Sequence, residues 1–213
     1  ALMLGLSREL MRFDGGLRKG VWKTPDTIVQ DFSGRTVGIV GYGHIGKHTA
    51  RLAQSCGAKI VVQSRTRAAL PAGMEWEDSL ERLLPRVDIL SLHCPLTDST
   101  RRMIGEKQFA LMKPGVLIIN TSRGGLIDEP AMIVALQSGR LGGAGLDVFA
   151  KEPPDTANPL FSMPNVIVTP HIASATNDAA LQSGVIVAHN IVSYLRGEIY
   201  DPSNFINPAV FRK

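Results

Sequence analysis

Cysteine is scarce in this chain: Cys56 and Cys94 are the only two among 213 residues. Two distant thiols make neither a disulfide framework nor a metal-ligand spacing, so the expectation is a protein without a metal site, at home in a reducing cytoplasm. No apolar run reaches the roughly 18 residues that a bilayer span requires, which excludes a membrane helix on sequence grounds. The apolar start, residues 1–6, has no basic stretch before it and is broken by Ser7-Arg8-Glu9, so it does not read as a signal peptide. Dense basic runs are missing too. The net charge is +4 and the isoelectric point about 9.3. Yet Arg8, Arg12, Lys19, Arg35, Arg82 and Arg140 are scattered, without interleaved aromatics, and nucleic acid is not expected as a partner. What remains, 44% hydrophobic and 20% charged residues, is an ordinary globular composition, long enough to bury one good core.

Short apolar runs alternate with helix-length segments. Residues 36–40, 59–63, 87–92, 116–120, 144–148 and 166–169 read as strands. Residues 45–55, 78–84, 107–112 and 129–138 read as helices between them, the last with Asp128 as N-cap and Gly139 at its end. Strands that are apolar throughout, rather than alternating, belong to a parallel sheet covered on both faces. The expectation is a doubly wound α/β fold of the Rossmann type with right-handed crossovers. Outside this pattern lie a helix over residues 2–13, a long helix over 177–195 and a tail.

Gly41-Tyr42-Gly43-His44-Ile45-Gly46 falls between the first strand and the first crossover helix. In that setting the first glycine permits a tight turn, the second lets backbone approach a pyrophosphate, and the third lets helix pack on strand. The helix N-terminus at His44 and Ile45 then offers amides and a positive dipole end to phosphate. The second strand ends in Gln63-Ser64-Arg65-Thr66-Arg67. An NAD-specific site places an acidic residue there, about 20 residues on, for the ribose hydroxyl. None is present, and two guanidiniums are, which suit a 2′-phosphate. The expectation is NADP(H) preferred with NAD(H) possible, and Ser64, Arg65, Thr66 and Arg67 around the 2′-phosphate.

Arg123, Glu152 and His171 each follow a strand-like run. A guanidinium gives a carboxylate substrate a planar two-point grip. An imidazole can give a proton to the alkoxide that forms when hydride reaches a carbonyl, and a neighbouring carboxylate favours its charged form. The three suit hydride transfer to a 2-keto acid.

With these motifs the chain resembles the D-isomer-specific 2-hydroxyacid dehydrogenases. The resemblance rests on residues 37–46, on Leu92-His93-Cys94-Pro95-Leu96-Thr97 and Met112-Lys113-Pro114-Gly115, and on residues 119–128. It continues through Gly145-Leu146-Asp147-Val148-Phe149, Glu152-Pro153 and Thr169-Pro170-His171-Ile172-Ala173. It implies Arg123 on the substrate carboxylate, His171 as general acid and base, and Glu152 holding the imidazole. It implies Asp147 at the nicotinamide carboxamide, with Thr121, Cys94 and Pro95 around that pocket. The substrate would be a small 2-keto or 2-hydroxy acid of D configuration, of the glyoxylate or hydroxypyruvate type.

The resemblance also implies a further, N-terminal lobe. Residues 1–196 would form the dinucleotide-binding domain, with a dimerisation arm at about 1–23 in which Leu2, Leu6 and Leu10 share a face, giving a homodimer. Residues 197–213 would be a tail belonging to the absent substrate domain. Three alternatives stand beside this reading. One is a nucleotide-sensing corepressor-like module on the same scaffold, and one is 3-phosphoglycerate dehydrogenase. The third, S-adenosylhomocysteine hydrolase, has an acidic residue at the end of its second strand, which residues 63–67 lack.

Overall fold

The structure, a computed structural model, describes residues 1–24 and 27–198. The expected tail lies outside them from residue 199 onward. The chain divides into two compact units, Ala1–His171 and Ile172–Lys213.

The first unit is built on seven parallel strands: β1 (Thr36–Val40), β2 (Lys59–Gln63), β3 (Met74–Trp76), β4 (Ile89–Leu92), β5 (Val116–Asn120), β6 (Leu141–Leu146) and β7 (Val166–Val168). Their spatial order is β3-β2-β1-β4-β5-β6-β7, and every neighbouring pair is parallel. This is the doubly wound order extended by one strand, with its switch point between β1 and β4. The two-residue period of the strands sorts their side chains into two cores. Val37, Ile39, Ile60, Val62, Ile89, Leu117 and Ile119 face one side; Val40, Val61, Leu90, Leu92, Val116 and Ile118 face the other. Because both faces are buried, the strands are apolar at consecutive positions, which is why they were legible as unbroken runs.

On the first face lie α1 (Leu2–Ser7) and α3 (His44–Ser55), the latter through Ala50 and Ala53. On the second lie α4 (Leu80–Leu83), α5 (Glu106–Leu111) and α6 (Glu129–Gln137), with Phe109, Met132, Ala135 and Leu136 in the core. Asp128 caps α6 by accepting the Ala131 amide, and Gly139 follows it at φ +75°, a conformation that favours glycine.

Four expectations need correction. The helix expected over residues 2–13 is two: α1 ends at Ser7, Glu9 takes φ 49°, and α2 runs Leu10–Arg18. Its leucines do not share a fate. Leu2 and Leu6 pack onto β6, where Gly143 and Gly145 leave room for them, whereas Leu10 is exposed. The strand expected over 144–148 begins at Leu141 and stops at Leu146, because the glycines that hid its start from a propensity reading are what admit α1. The strand expected over 87–92 begins at Ile89, because the Asp88 carboxylate, which accepts the Thr36 amide and the Lys113 ammonium at 2.8 Å each, pins the approach to it. The helix expected over 78–84 is one turn of α4 followed by a 3-10 turn, Leu84–Arg86, that carries Pro85. β3 was not foreseen; three residues with one charge carry too little pattern.

In the second unit α7 (Asn177–Leu195) is the helix that the sequence indicates, capped by Thr176, whose hydroxyl accepts the Ala179 amide. No helix among the described residues is long and apolar enough to cross a membrane.

Candidate active site

In an open parallel sheet the loops at the carboxyl ends of the strands carry function, and the candidate residues gather there. The glycine loop leaves β1 with Gly41 at φ +94°. A Cβ on Gly41 would lie 2.7 Å from the Cys94 nitrogen and from the His93 carbonyl, so this turn is pressed against the loop after β4. A Cβ on Gly46 would lie 2.1 Å from the Gly41 carbonyl oxygen, which is the close packing of helix on strand. Gly43 differs: a Cβ there would meet nothing within 4 Å. It is the N-cap residue of α3 and supplies no side-chain cap. The first-turn amides of α3 therefore open onto free space at the positive end of a 12-residue helix. Absence of a side chain at Gly43 matters here only to something outside the protein, and a dinucleotide pyrophosphate fits that cradle. Gly41 also donates its amide to the Gln63 carbonyl at 2.8 Å, which brings Ser64, Arg65, Thr66 and Arg67 beside the loop. Arg65 is exposed. Arg67 lies 3.8 Å from Asp78, with its guanidinium 5.9 Å from the Trp76 ring centroid.

His93, half-buried under the glycine turn, shares a 2.9 Å hydrogen bond with the buried Ser91 through Nε2. Its Nδ1 is buried without a partner among the described residues. Burial pulls its pKa down to about 4, so the ring is neutral near pH 7. Burial likewise pushes the neighbouring Cys94 thiol up, which keeps it protonated and unreactive.

The second cluster lies beyond β5, β6 and β7. Asn120, buried at the end of β5, donates Nδ2 to the Arg123 carbonyl at 2.9 Å and accepts the Ser122 amide at 3.1 Å. Ser122 donates its hydroxyl to the Leu92 carbonyl at 2.8 Å. These bonds fold the chain around half-buried Thr121 and present Arg123, whose exposed guanidinium reaches back to the Ser122 carbonyl. A 3-10 turn, Gly124–Leu126, follows, and Gly124 lies directly on the backbone of Phe149 and Ala150.

Past β6, Asp147 is buried and accepts the Thr169 hydroxyl. The Asp147 carbonyl accepts the His171 amide at 2.9 Å, and the Thr169 carbonyl shares it at 3.0 Å. His171 sits at φ 55°, an uncommon conformation for a side-chain-bearing residue, held by those two bonds. Its Nδ1 lies 2.8 Å from Glu152 Oε2. The other oxygen, Oε1, accepts the Phe149 amide at 3.0 Å. Burial pushes the Glu152 carboxyl up, but the bonds from His171 and Phe149 and the charges of His171 and Arg123 outweigh it, so the net direction is below the usual carboxylate range. Glu152 is thus an anion near neutral pH, with a guanidinium close enough to be felt. With Nδ1 committed to Glu152, Nε2 is the nitrogen left for a reacting oxygen. Beside the pair opens an apolar pocket of about 270 Å³, walled by Phe149, Pro153, Pro154, Phe161 and Val168.

Every candidate named from sequence therefore lies at one edge of the sheet, in two neighbouring groups. Asn120, Ser122 and Glu129 are not singled out as site residues in the sequence: Asn120 closes a local turn with Ser122 and Arg123, whereas Ser122 bonds to Leu92 and Glu129 to Ala150 and Asn158, partners that the fold supplies and no spacing signals. A larger cavity, about 560 Å³, lies at the opposite, amino edge, between the start of the strands and α1. There Lys113 pairs with Asp88 and Arg12 with Glu9, while Arg35 donates to Ser7 and Gln30, and the cavity takes no part in this site.

Comparison with known proteins agrees with this geometry. Residues 1–173 match the family described as D-isomer specific 2-hydroxyacid dehydrogenase, NAD binding domain. A glyoxylate reductase of Thermococcus litoralis is 42% identical, over 99% of this chain and 65% of its own length. A D-3-phosphoglycerate dehydrogenase of Methanocaldococcus jannaschii is 39% identical, over 97% of this chain and 39% of its own. The crystal structure of a glyoxylate reductase from Paecilomyes thermophila superposes with a TM-score of 0.83 at 37% identity, covering 93% of this chain and 61% of that one. The chain thus spans less than two thirds of the length of these relatives.

Proposed function

Because the chain belongs to the D-isomer specific 2-hydroxyacid dehydrogenase family, we propose that it carries the cofactor site and proton-transfer pair of an oxidoreductase acting on a small 2-keto or 2-hydroxy acid of D configuration, with NADP(H) preferred and NAD(H) accepted. The glyoxylate reductase relatives favour a substrate of the glyoxylate or hydroxypyruvate type. The observation that carries the proposal is the 2.8 Å contact of His171 Nδ1 with Glu152 Oε2, in a place where the Arg123 charge reaches the same carboxylate.

In this reading Gly41, Gly43 and Gly46, with the amides of His44 and Ile45, hold the pyrophosphate. Asp147, Thr121, Cys94 and Pro95 border the nicotinamide, which supplies or accepts the hydride when bound. Arg123 grips the substrate carboxylate and aligns the carbonyl. His171 gives the Nε2 proton to the carbonyl oxygen in reduction and takes it back in oxidation. Glu152 fixes the ring and offsets the positive charge it carries before that transfer. The cofactor preference is supported by what residues 63–67 lack, an acid that would repel a 2′-phosphate, and by the exposed Arg65 beside the glycine loop.

The proposal extends to the organisation of the protein: residues 1–196 as cofactor domain, 197–213 as part of a substrate domain, and a homodimer in the cytoplasm. Leu10, Met11, Leu17 and Trp22, exposed along α2 and the loop after it, support a dimerisation arm. The test is parallel fluorescence titration with NADPH and NADH, followed by oxidation of NADPH with glyoxylate and hydroxypyruvate. Tighter NADPH binding is expected; binding of neither nucleotide would overturn the cofactor site. A second reading, D-3-phosphoglycerate dehydrogenase, is favoured by the Methanocaldococcus jannaschii relative. Turnover of 3-phosphoglycerate with no reduction of glyoxylate would establish it instead.

A further inference from the structure

Glu129 stands at the first position of α6 and is half-buried. A half-buried carboxylate needs partners, yet among the described residues it makes no salt bridge. Its two oxygens instead accept from two points of one distant loop. Oε2 takes the Ala150 amide at 3.1 Å, and Oε1 takes Asn158 Nδ2 at 2.9 Å. Asn158 is itself fixed, because its Oδ1 accepts the Leu160 amide at 3.0 Å as N-cap of the 3-10 turn Pro159–Ser162.

That loop carries Glu152. Two successive amides in it therefore point at two carboxylates: Phe149 at Glu152, and Ala150 at Glu129. Glu129 in turn is anchored. It begins a helix whose Met132, Ala135 and Leu136 are buried in the core, and its charge lies at the positive end of that helix. It also sits six residues after Arg123, on the segment that presses Gly124 against Phe149.

We infer that Glu129 is the positioning residue for the Glu152–His171 pair: it clamps the loop bearing Glu152 to the segment bearing Arg123, and so sets where the imidazole is held. This rests on the reading of Glu152 and His171 as the proton-transfer pair. A carboxylate is required because both donors face it. Glutamine at the same place accepts from one and confronts the other with a donor of its own.

The chemistry suggests its own rescue. Asn158→Asp turns the facing donor into an acceptor. Combined with Glu129→Gln, it lets the introduced amide give a hydrogen to the introduced carboxylate, while the amide oxygen keeps the Ala150 N–H. The experiment is nitrogen-15 NMR of the histidine rings in the 213-residue protein, comparing the wild type with Glu152→Gln, Glu129→Gln and the double variant Glu129→Gln/Asn158→Asp. Glu152→Gln defines the His171 ring signal of a broken pair. Glu129→Gln is expected to move that signal at least halfway toward it, and the double variant to bring it back. An unmoved signal in Glu129→Gln overturns the inference. If Glu129→Gln does not fold, the double variant decides: a restored signal supports the clamp, an unrestored one overturns it. If Glu152→Gln itself leaves His171 unchanged, the pair is at fault, and the proposed function fails before the clamp does.

Discussion

A Cβ placed on Gly124 would lie 1.9 Å from the carbonyl carbon and oxygen of Phe149. No rotamer can relieve that overlap, since both partners are backbone. This contact sets the Arg123 segment against the loop that carries Glu152, and Gly124→Ala must separate them. The expected outcome is a loss of about 1–3 kcal/mol in stability from overpacking. Turnover with a 2-keto acid should fall by roughly 100-fold, the scale of a 1 Å misplacement at a reacting centre, while NADPH affinity changes little. Urea unfolding, steady-state rates and a nucleotide titration measure the three quantities. Unchanged turnover in a folded variant would detach this contact from the chemistry.

The two later glycines of the fingerprint make opposite predictions. Gly46→Ala places a methyl 2.1 Å from the Gly41 oxygen, so it should destabilise the fold by about 1–3 kcal/mol. Gly43→Ala meets nothing in the protein and adopts its φ of −77° without strain. Its stability should stay within about 0.5 kcal/mol of the wild type, while NADPH affinity drops. A Gly43→Ala protein that binds NADPH as tightly as the wild type would remove the pyrophosphate from that position.

Arg65 and Arg67 should not contribute equally to cofactor choice. Arg67 lies near Asp78 and Trp76, whereas Arg65 is exposed beside the glycine loop with neither contact. A charge-assisted bond to phosphate contributes about 1.5–3 kcal/mol, so Arg65→Gln should weaken NADPH by roughly tenfold or more with little effect on NADH. Arg67→Gln should give the smaller effect. Equal losses for the two nucleotides would show that neither arginine reads a 2′-phosphate.

His93 sets an acid limit on stability. Its pKa is depressed in the folded protein to about 4, against an unfolded value of about 6.5. Between those values the unfolded chain binds a proton that the folded chain does not. This contribution to stability is therefore intact above about pH 6.5 and is lost progressively as pH falls toward 4. The shift corresponds to up to about 3 kcal/mol. His93→Asn should flatten the decline in unfolding free energy between about pH 6.5 and about pH 4. An identical slope in both proteins would show that the ring titrates normally.

Much of this was legible in sequence because it is local. Val37, Ile39 and Val40 read as a buried strand without knowledge of what covers them, and Gly41, Gly43 and Gly46 serve a turn formed by their own neighbours. Asp128 announced the start of α6 by capping three residues on. Weakly patterned segments are not legible in this way. Residues 74–76 pair as a strand only because Ile60, Val61 and Val62 lie beside them, and the start of β6 at Leu141, Gly142 and Gly143 shows no strand pattern until α1 is seen to need the room.

Residue types and their order were enough to say that this chain forms a parallel α/β sheet, offers a helix N-terminus to a dinucleotide, and carries a guanidinium, a carboxylate and an imidazole after later strands. Each of those properties depends on neighbours within a turn or a strand. The distance from His171 to Glu152, the burial that keeps His93 neutral and the hold of Glu129 on Ala150 are of another kind. The first and the last join residues 19 and 21 positions apart, and the burial of His93 comes from a glycine turn on a different strand. All three exist because strands distant in sequence lie side by side in one sheet. Hydrogen bonds and desolvation act over a few ångströms of space rather than along the chain, so only packing could decide them.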